Sequence, residues 1–332
     1  MKMKPMLKNF FLYSLAGMLL ITMPLHAGSF KKYAGEFLYL GAGGRAQGMA
    51  GAYTAVSNDV TAGYWNPAGL TDSKGFQLQF MHSKQFISSI QYNYLAASHP
   101  LDANATLGIS LLYLTINDIK DSRNAYDEVL QRVDPSRIEM FNTGDYSFLI
   151  SYARRMTEKL SWGVNVKTIY RDYEVESGMG FGFDGGIRYS YLENLHLGLM
   201  VHDITTTMIS WSTGENEFIT PSVRTGVAYD LNISSLNLRV MPSFDFNILL
   251  ENREFASQFN LGPLSLDTIW GMEVAYNDLI GLRIGYDDLQ RFSTGVGLKI
   301  PKIAFDYAFT EYESELGNLH RISFHISLSE LW

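Results

Sequence analysis

The segment from Leu236 to Ile248 reads LNLRVMPSFDFNI and alternates between two kinds of side chain. Its even positions carry Leu, Leu, Val, Pro, Phe, Phe and Ile, and its odd positions carry Asn, Arg, Met, Ser, Asp and Asn. A period of two places these two sets on opposite faces of a β-strand. One face of the predicted strand is therefore apolar, whereas the other carries the ionised side chains of Arg239 and Asp245.

The same alternation recurs in about fourteen segments from Gly75 onward. The segments reach roughly ten residues, which is the length of a tilted membrane strand, whereas strands in soluble proteins average about five or six residues. Tyrosines lie near the ends of several apolar rows, as in the aromatic girdles of membrane barrels. A soluble sandwich also alternates, with its apolar face inward, but segment length and the tyrosines favour a membrane barrel.

Ionised residues fall on the polar face of their predicted strands. A basic side chain facing lipid costs roughly 2–4 kcal/mol at the bilayer midplane, so we expect the polar face to line the lumen. Both signs of charge occur, and we expect many of these groups to pair with one another. The predicted lumen charges are Lys167, Arg171, Asp184, Arg188, Arg224, Arg239, Asp245, Glu273, Arg283 and Asp287.

The connections between the predicted strands alternate in length. Short ones fall near 156–159, 192–194, 231–235, 277–280 and 300–302, and long ones near 117–143, 204–219, 251–266 and 311–319. Outer-membrane barrels have short periplasmic turns and longer outer loops. The pattern therefore predicts an all-β protein of the bacterial outer membrane. Its transmembrane, antiparallel, up-and-down barrel has about 14 strands over residues 75–332, and the terminal Trp332 resembles a barrel assembly signal.

The first 27 residues predict a signal peptide. Lys2, Lys4 and Lys8 precede an apolar stretch from Phe10 to Met23, and the small residue Ala27 marks the expected cleavage site. The apolar run is short for a span of the bilayer. Export of a chain without cysteine fits a bacterial envelope protein.

Residues 28–74 have no period-two row and are rich in small side chains. A barrel of about fourteen strands is too wide to fill with its own side chains, so this segment predicts a helical plug, or hatch, in the lumen. We expect Arg45 to pair with an acidic lumen residue, because an unpaired charge in a crowded lumen is costly. The predicted hatch and gating residues are Arg45, Gly48, Asp59, Trp65, Asn66 and Pro67.

The stretch from Gly41 to Leu70 carries a family resemblance. It runs GAGGRAQGMAGAYTAVSND through YWNPAGL, which resembles the signature of PorV/PorQ-like proteins within the FadL-type outer-membrane transporters. The resemblance implies a fourteen-stranded barrel with an N-terminal hatch. FadL-type members move hydrophobic molecules such as long-chain fatty acids, and PorV-type members serve type IX secretion by handling exported proteins. The Asn-Pro-Ala of FadL-type hatches matches Asn66, Pro67 and Ala68.

Two functions are therefore open. The first is a FadL-like barrel that binds or passes hydrophobic cargo through a hatch-gated lumen, and it predicts a mainly apolar pocket between hatch and wall. The alternative is a PorV-like type IX secretion or envelope-assembly factor that docks exported proteins, and it predicts a filled lumen and an apolar patch on loop 117–143 or 204–219. The expected partners are outer-membrane lipid and either a hydrophobic small molecule or a secreted or envelope protein.

Several other classes of function are disfavoured. The chain has 26 Lys+Arg against 34 Asp+Glu, a net charge of −8, which argues against nucleic acid as a partner. The absence of cysteine excludes a thiol nucleophile and a thiolate zinc site. Gly41, Gly43 and Ala46 match a dinucleotide fingerprint by letter, but no βαβ unit follows. We predict no catalytic residues, no metal and no cofactor.

Overall fold

The computed structural model describes residues 35–85, 90–127, 131–250, 253, 257–312 and 317–328. The predicted signal peptide, residues 28–34 of the predicted hatch and the terminal Trp332 lie outside the described residues. Within the described ranges, no helix is both long enough and apolar enough to cross a membrane.

Fourteen long strands of the described chain form a closed antiparallel barrel. Each strand pairs with the strands before and after it, and the last pairs with the first from Phe76↔Leu328 to Lys84↔His320. The predicted fold class is confirmed. The strands are β1 Phe76–Gln85, β2 Ile90–Pro100, β3 Ala105–Asp121, β4 Glu139–Arg155, β5 Leu160–Asp172, β6 Ser177–Leu192, β7 Leu195–His202, β8 Ser222–Tyr229, β9 Leu238–Leu249, β10 Leu264–Tyr276, β11 Ile280–Tyr286, β12 Phe292–Ile300, β13 Ile303–Thr310 and β14 Leu319–Leu328.

Shorter elements precede and connect these strands. The N-terminal segment contains a 3-10 helix Glu36–Tyr39, α1 Gly44–Gly48, α2 Ala62–Trp65 and a 3-10 helix Pro67–Asp72. A hairpin of Thr207–Trp211 and Asn216–Ile219 extends the wall, because its first strand pairs with β6. The remaining elements are Tyr126–Asp127, Arg132–Val133, Pro135–Arg137, Leu231–Ile233, Ser234–Leu236 and Phe259–Leu261.

The connections define two ends of the barrel. One end, which we call the short-turn end, has turns at 101–104, 156–159, 193–194, 230–237, 277–279 and 301–302. The other, which we call the long-loop end, has connections that include 122–138 and 203–221. The loop predicted over 117–143 is shorter than expected, because β3 and β4 extend to 17 residues each. Connections 173–176 and 287–291 at the long-loop end are also short, so short and long connections alternate less regularly along the chain than predicted.

The two faces of the wall are chemically distinct. On β5, Asn165 and Lys167 are buried toward the lumen, whereas Val164 is 41 % exposed on the outside. On β9, Asp245 is fully buried and its neighbour Phe244 is 50 % exposed. Exposed apolar side chains on the outside and buried charges within require hydrocarbon around the barrel. A slip of one residue in register would reverse both faces of a strand.

The outward face of β5 gives a direct test of this arrangement. We expect Val164→Arg to destabilise the folded barrel by about 2–4 kcal/mol, because the cation would face acyl chains. Val175→Arg is the matched control, since Val175 is 67 % exposed in the connection 173–176. Urea titration of both variants folded into lipid vesicles measures the difference. Equal stability of the two variants would contradict the assignment of the outer face.

Candidate functional site

The described part of the hatch, residues 35–74, occupies the lumen. Met49, Tyr53 and Leu70 are among its fully buried side chains. Helix α2 ends at Trp65, because Asn66 is extended and Pro67 begins the following 3-10 helix. The Asn66 side chain caps that helix by accepting from the Ala68 amide at 3.2 Å. Asn66 and Pro67 therefore form the break between the two helices.

A set of wall glycines faces the hatch, and we call it the glycine belt. The belt comprises Gly108, Gly163, Gly186, Gly198, Gly226, Gly271, Gly285 and Gly295, which lie on β3, β5, β6, β7, β8, β10, β11 and β12. At each position an added Cβ would come within about 3 Å of a hatch atom. Glycine within a strand often marks a place where another backbone approaches closely.

Three contacts illustrate how close the approach is. A Cβ on Gly198 would lie 2.5 Å from the Thr54 carbonyl oxygen, and one on Gly163 would lie 2.5 Å from the Pro67 carbonyl carbon. Gly48 of the hatch packs on Gly295, where the added Cβ would lie 2.9 Å from the Gly48 Cα. The hatch backbone therefore lies directly on the wall, with no space for side chains between them.

Asp245 anchors the hatch from β9. Its Oδ2 accepts hydrogen bonds from the backbone amides of Tyr53 at 3.1 Å and Thr54 at 3.0 Å, and from the Thr54 hydroxyl at 2.6 Å. Arg224 completes the site, because its Nε lies 2.9 Å from the same oxygen. The Arg224 guanidinium also donates to the Gly51 carbonyl and lies over the Trp65 ring at 5.2 Å.

Arg45 links the hatch to β10, the strand next to β9 in the wall. Its Nε and Nη2 bind the two carboxylate oxygens of Glu273 on β10 at 2.9 and 2.8 Å, a bidentate arrangement. The predicted pairing of Arg45 with an acidic lumen residue is confirmed. The chain of charges continues along the wall, because Glu273 also pairs with Arg283 at 2.6 Å and Arg283 pairs with Asp306 at 2.6 Å.

Asp59 supports Arg45 from within the hatch, outside the membrane-spanning strands. Its carboxylate lies 3.5 Å from Arg45 and accepts the Tyr53 hydroxyl at 2.7 Å and the Thr61 amide at 2.9 Å. Burial alone raises the pKa of Asp59, but the Arg45 charge and the hydrogen bonds from Thr61 and Tyr53 outweigh burial and lower it below its usual value. The carboxylate is therefore charged at neutral pH.

A further set of contacts fixes the hatch near the short-turn end. The Asn66 amide donates to the carbonyls of Thr54 at 3.0 Å and Ile187 at 3.1 Å. Asp72 pairs with Arg155 of β4 at 2.8 Å and with Arg188 of β6 at 2.7 Å. The end of the hatch is thus bonded to the wall just before β1 begins.

All ten of the predicted lumen charges have an ion-pair partner, but they do not form one site. Arg224, Asp245, Glu273, Arg283 and Arg188 take part in the contacts described above. The others pair elsewhere in the barrel: Lys167 with Asp184 at 3.0 Å and Asp203 at 2.6 Å, Arg171 with Asp145 at 2.7 Å, Arg239 with Asp230 at 2.7 Å, and Asp287 with Arg291 at 2.6 Å.

A cavity of about 530 Å³ lies between the hatch and the long-loop end, and we call it the outer cavity. Tyr64 and Trp65 of the hatch line it together with aliphatic wall residues such as Leu112 and Leu249. Its lining is strongly polar as well as apolar. The ionisable residues that line it include Glu36, Lys167, Asp184, His202, Asp203, Arg224, Arg253, Asp287, Asp288, Arg291 and Arg321.

Sequence reasoning missed the glycine belt. The belt carried a weak signal, because each of its glycines lies on the polar face of its strand. Gly178 and Gly180 lie on the same face of β6, but they pack against Ile209 of the hairpin that extends the wall, with Trp211 also beside Gly178. Arg321 carried the same signal on β14 and was also missed.

Together these features define a class. A closed barrel with an apolar outer surface, a charged lumen and an internal hatch is the architecture of an outer-membrane β-barrel protein with a plugged lumen. Solved structures with this fold include the monoaromatic hydrocarbon channel CymD (13% identity, TM-score 0.61) and the toluene transporters TbuX of Ralstonia pickettii (12%, 0.59) and TodX of Pseudomonas putida (14%, 0.58). Each comparison covers 87% of this chain and 98%, 98% and 99% of the other chain, respectively.

A family match is more specific. The model of the type IX secretion system membrane protein PorP/SprF matches residues 60–329, and the chain belongs to this family. It is therefore a protein of the bacterial outer membrane, and the three solved structures named above are described as channels or transporters. The solved structures show that the chain shares its fold with FadL-type proteins, whereas the likeness to PorV/PorQ stays a prediction. A search of curated proteins finds no significant match.

The glycine belt generates a testable prediction. We expect Gly198→Ala to displace the hatch, because the new Cβ meets the Thr54 backbone at 2.5 Å and such overpacking costs about 1–3 kcal/mol. Gly185→Ala is the matched control: its Cβ points out of the barrel and meets only the end of the Ile204 side chain at 3.1 Å. Limited proteolysis within residues 41–70 measures hatch release. Similar cleavage rates in both variants would argue against the belt.

Proposed function

We propose that the protein serves type IX secretion as a closed outer-membrane barrel that docks an exported or envelope protein. Membership of the PorP/SprF family over residues 60–329 is the observation that carries this proposal. The PorV-like handling of exported proteins, implied by the signature at Gly41–Leu70, belongs to the same proposal. In this role the barrel is a fixed platform in the membrane rather than an open pore.

The geometry of the lumen supports a closed platform. Arg45 and Asp245 bond the hatch to the adjacent strands β10 and β9, Asp72 bonds it to β4 and β6, and the glycine belt lies against its backbone. Arg45 and Glu273 form a largely buried ion pair, and removing one partner from such a pair costs about 3–5 kcal/mol. An opening that breaks this pair and the hydrogen bonds to Asp245 is therefore strongly unfavourable without a partner. The outer cavity has many charged lining residues, and charged walls suit a hydrophobic cargo poorly.

The long-loop end offers a candidate docking element. Tyr126 and Val133 face each other across a short hairpin and are 53 % and 49 % exposed. Met140, at the start of β4, is 57 % exposed. Exposed apolar side chains in one loop region are typical of a protein interaction site. It lies within the loop region 117–143 in which the sequence predicted a partner-sized patch.

Passage of a hydrophobic small molecule is the second candidate function. The observation that favours it is the shared fold with hydrocarbon and toluene channels, whose barrels match along 87% of this chain. The gating residues would then be those of the hatch, with Asn66 and Pro67 at the turn that moves. This function requires the hatch to leave the wall during transport, whereas the docking function does not.

A disulfide between hatch and wall separates the two functions. A Cβ on Gly63 would lie 3.8 Å from the Ser151 Cβ, which is the separation found in disulfides, and the chain has no other cysteine. We expect cells with Gly63→Cys/Ser151→Cys to secrete type IX cargo at the wild-type level under oxidising conditions. The measurement is cargo in the culture medium, compared with a deletion strain, with the Ser151→Cys single variant as the control.

The opposite outcome is equally clear. Secretion that stops on oxidation and returns on reduction would show that the hatch must move and would overturn the closed platform. Uptake of labelled toluene that the wild type supports and the oxidised variant lacks would establish the second candidate. A deletion strain that secretes normally would remove the secretion role altogether.

A further inference from the structure

Arg321 occupies an unusual position at the border of hatch and wall. It lies on β14, is 4 % exposed and lines the outer cavity. Its Nη2 donates to the Leu40 carbonyl at 2.6 Å, and its Nη1 donates to the Gln47 side chain. Two hatch groups therefore hold the guanidinium in one orientation beside the cavity.

The charge of Arg321 has no counter-charge in the described part of the chain. Its two protein acceptors are neutral, and its Nε has no hydrogen-bond partner among the described residues. The titratable groups that act on it most strongly are Tyr312, Tyr92, Tyr64 and a second cation, Arg291. By contrast, the other four cations that line the outer cavity are paired: Lys167 with Asp184, Arg224 with Asp245, Arg253 with Asp267 and Arg291 with Asp287.

A buried guanidinium without a counter-charge is costly, and an anion in the adjoining cavity would relieve that cost. The guanidinium of Arg321 carries a single charge, so a monoanion in contact with it balances that charge. A carboxylate also fits the planar fork of a guanidinium. A phosphate dianion would place an excess negative charge in a cavity that Asp287 and Asp288 already line. The cavity volume of about 530 Å³ lies within the range of small-molecule sites.

We propose that the outer cavity is a binding site for a carboxylate group, with Arg321 as the residue that neutralises it. Leu40 and Leu319 also line the cavity, so the site can take an organic body attached to the carboxylate. A free organic acid and the terminal carboxylate of a polypeptide share this chemistry. The site does not depend on the secretion role, because its basis is the buried guanidinium of Arg321, whose partners in the described chain are neutral.

Titration calorimetry of the detergent-purified full chain tests the site. The probes are propionate, N-acetyl-trialanine with a free C-terminal carboxylate, the same peptide as its C-terminal amide, and methyl phosphate dianion. We expect both carboxylates to bind the wild type, and the amide to bind about 10- to 100-fold more weakly than its acid, which is the range for a charged hydrogen bond. A stronger signal from the peptide than from propionate assigns the site to a polypeptide terminus, and the reverse assigns it to a free acid.

Two variants of Arg321 test whether this residue binds the carboxylate. Arg321→Gln is expected to lose about 10-fold or more in carboxylate affinity, whereas Arg321→Lys retains the charge and most of the binding. Arg154→Gln is the control, because Arg154 is exposed at the short-turn end of β4, away from the outer cavity. If Arg321→Gln does not fold, the affinities of the peptide acid and the peptide amide for the wild-type protein still show whether the cavity binds a carboxylate.

Three results would overturn the proposal. One is equal affinity of the peptide acid and the peptide amide for the wild type. Another is tighter binding of methyl phosphate than of either carboxylate. The third is wild-type affinity in a folded Arg321→Gln variant. None of these results bears on cargo secretion in cells, so failure of the carboxylate site is distinguishable from failure of the secretion role.

Discussion

The close approach of the hatch backbone to the glycine belt is the contact on which the rest of the site depends. Backbone carbonyls of the hatch, such as that of Thr54, lie where a wall side chain would otherwise begin. This proximity lets one wall carboxylate, Asp245, accept two hatch amides directly. It also brings Arg45 within bidentate reach of Glu273. A wider gap would need longer side chains or water to bridge it, and these hydrogen bonds would be lost.

The second constraint comes from outside the barrel. Hydrocarbon around the wall favours an inward orientation of ionised residues in the membrane-spanning parts of the strands, so the lumen contains charges of both signs. Some of these charges hold the hatch. Arg45 of the hatch pairs with Glu273 of the wall, and Arg224 of the wall binds both Asp245 and the hatch backbone at Gly51. The same requirement that fixes strand register therefore also provides the anchors of the hatch. Arg321 is the exception, because its protein partners in the described chain are neutral groups of the hatch.

Much of the fold could be predicted from the sequence because its cause is local. Alternation along a single strand, as in Leu236–Ile248, reports both the strand and the side that faces lipid. Strand ends were less predictable, since β3 and β4 continue beyond the apolar rows into the loop region. The hatch was recognisable because its sequence lacks the period-two alternation, and because the side chains of a barrel of about fourteen strands do not fill its lumen.

The partners within the site could not be predicted in the same way. Tyr53 and Asp245 are 192 positions apart in the chain, and Arg45 and Glu273 are 228 apart. No periodicity connects residues at such separations, because their contact depends on how the hatch folds within the closed barrel. The glycine belt was equally hidden, since an inward glycine in a strand is also compatible with a bend or with open lumen.

Hydrogen exchange of the wild-type protein in lipid vesicles tests the central claim most directly. The relevant signal is the exchange of peptides that cover residues 41–70, compared with peptides from β5 and β9 in the same sample. If the hatch is a fixed part of the barrel, its amides, including those of Tyr53 and Thr54, will be protected about as long as those of the strands. Complete exchange of the hatch within seconds, while the strands stay protected, would contradict the account.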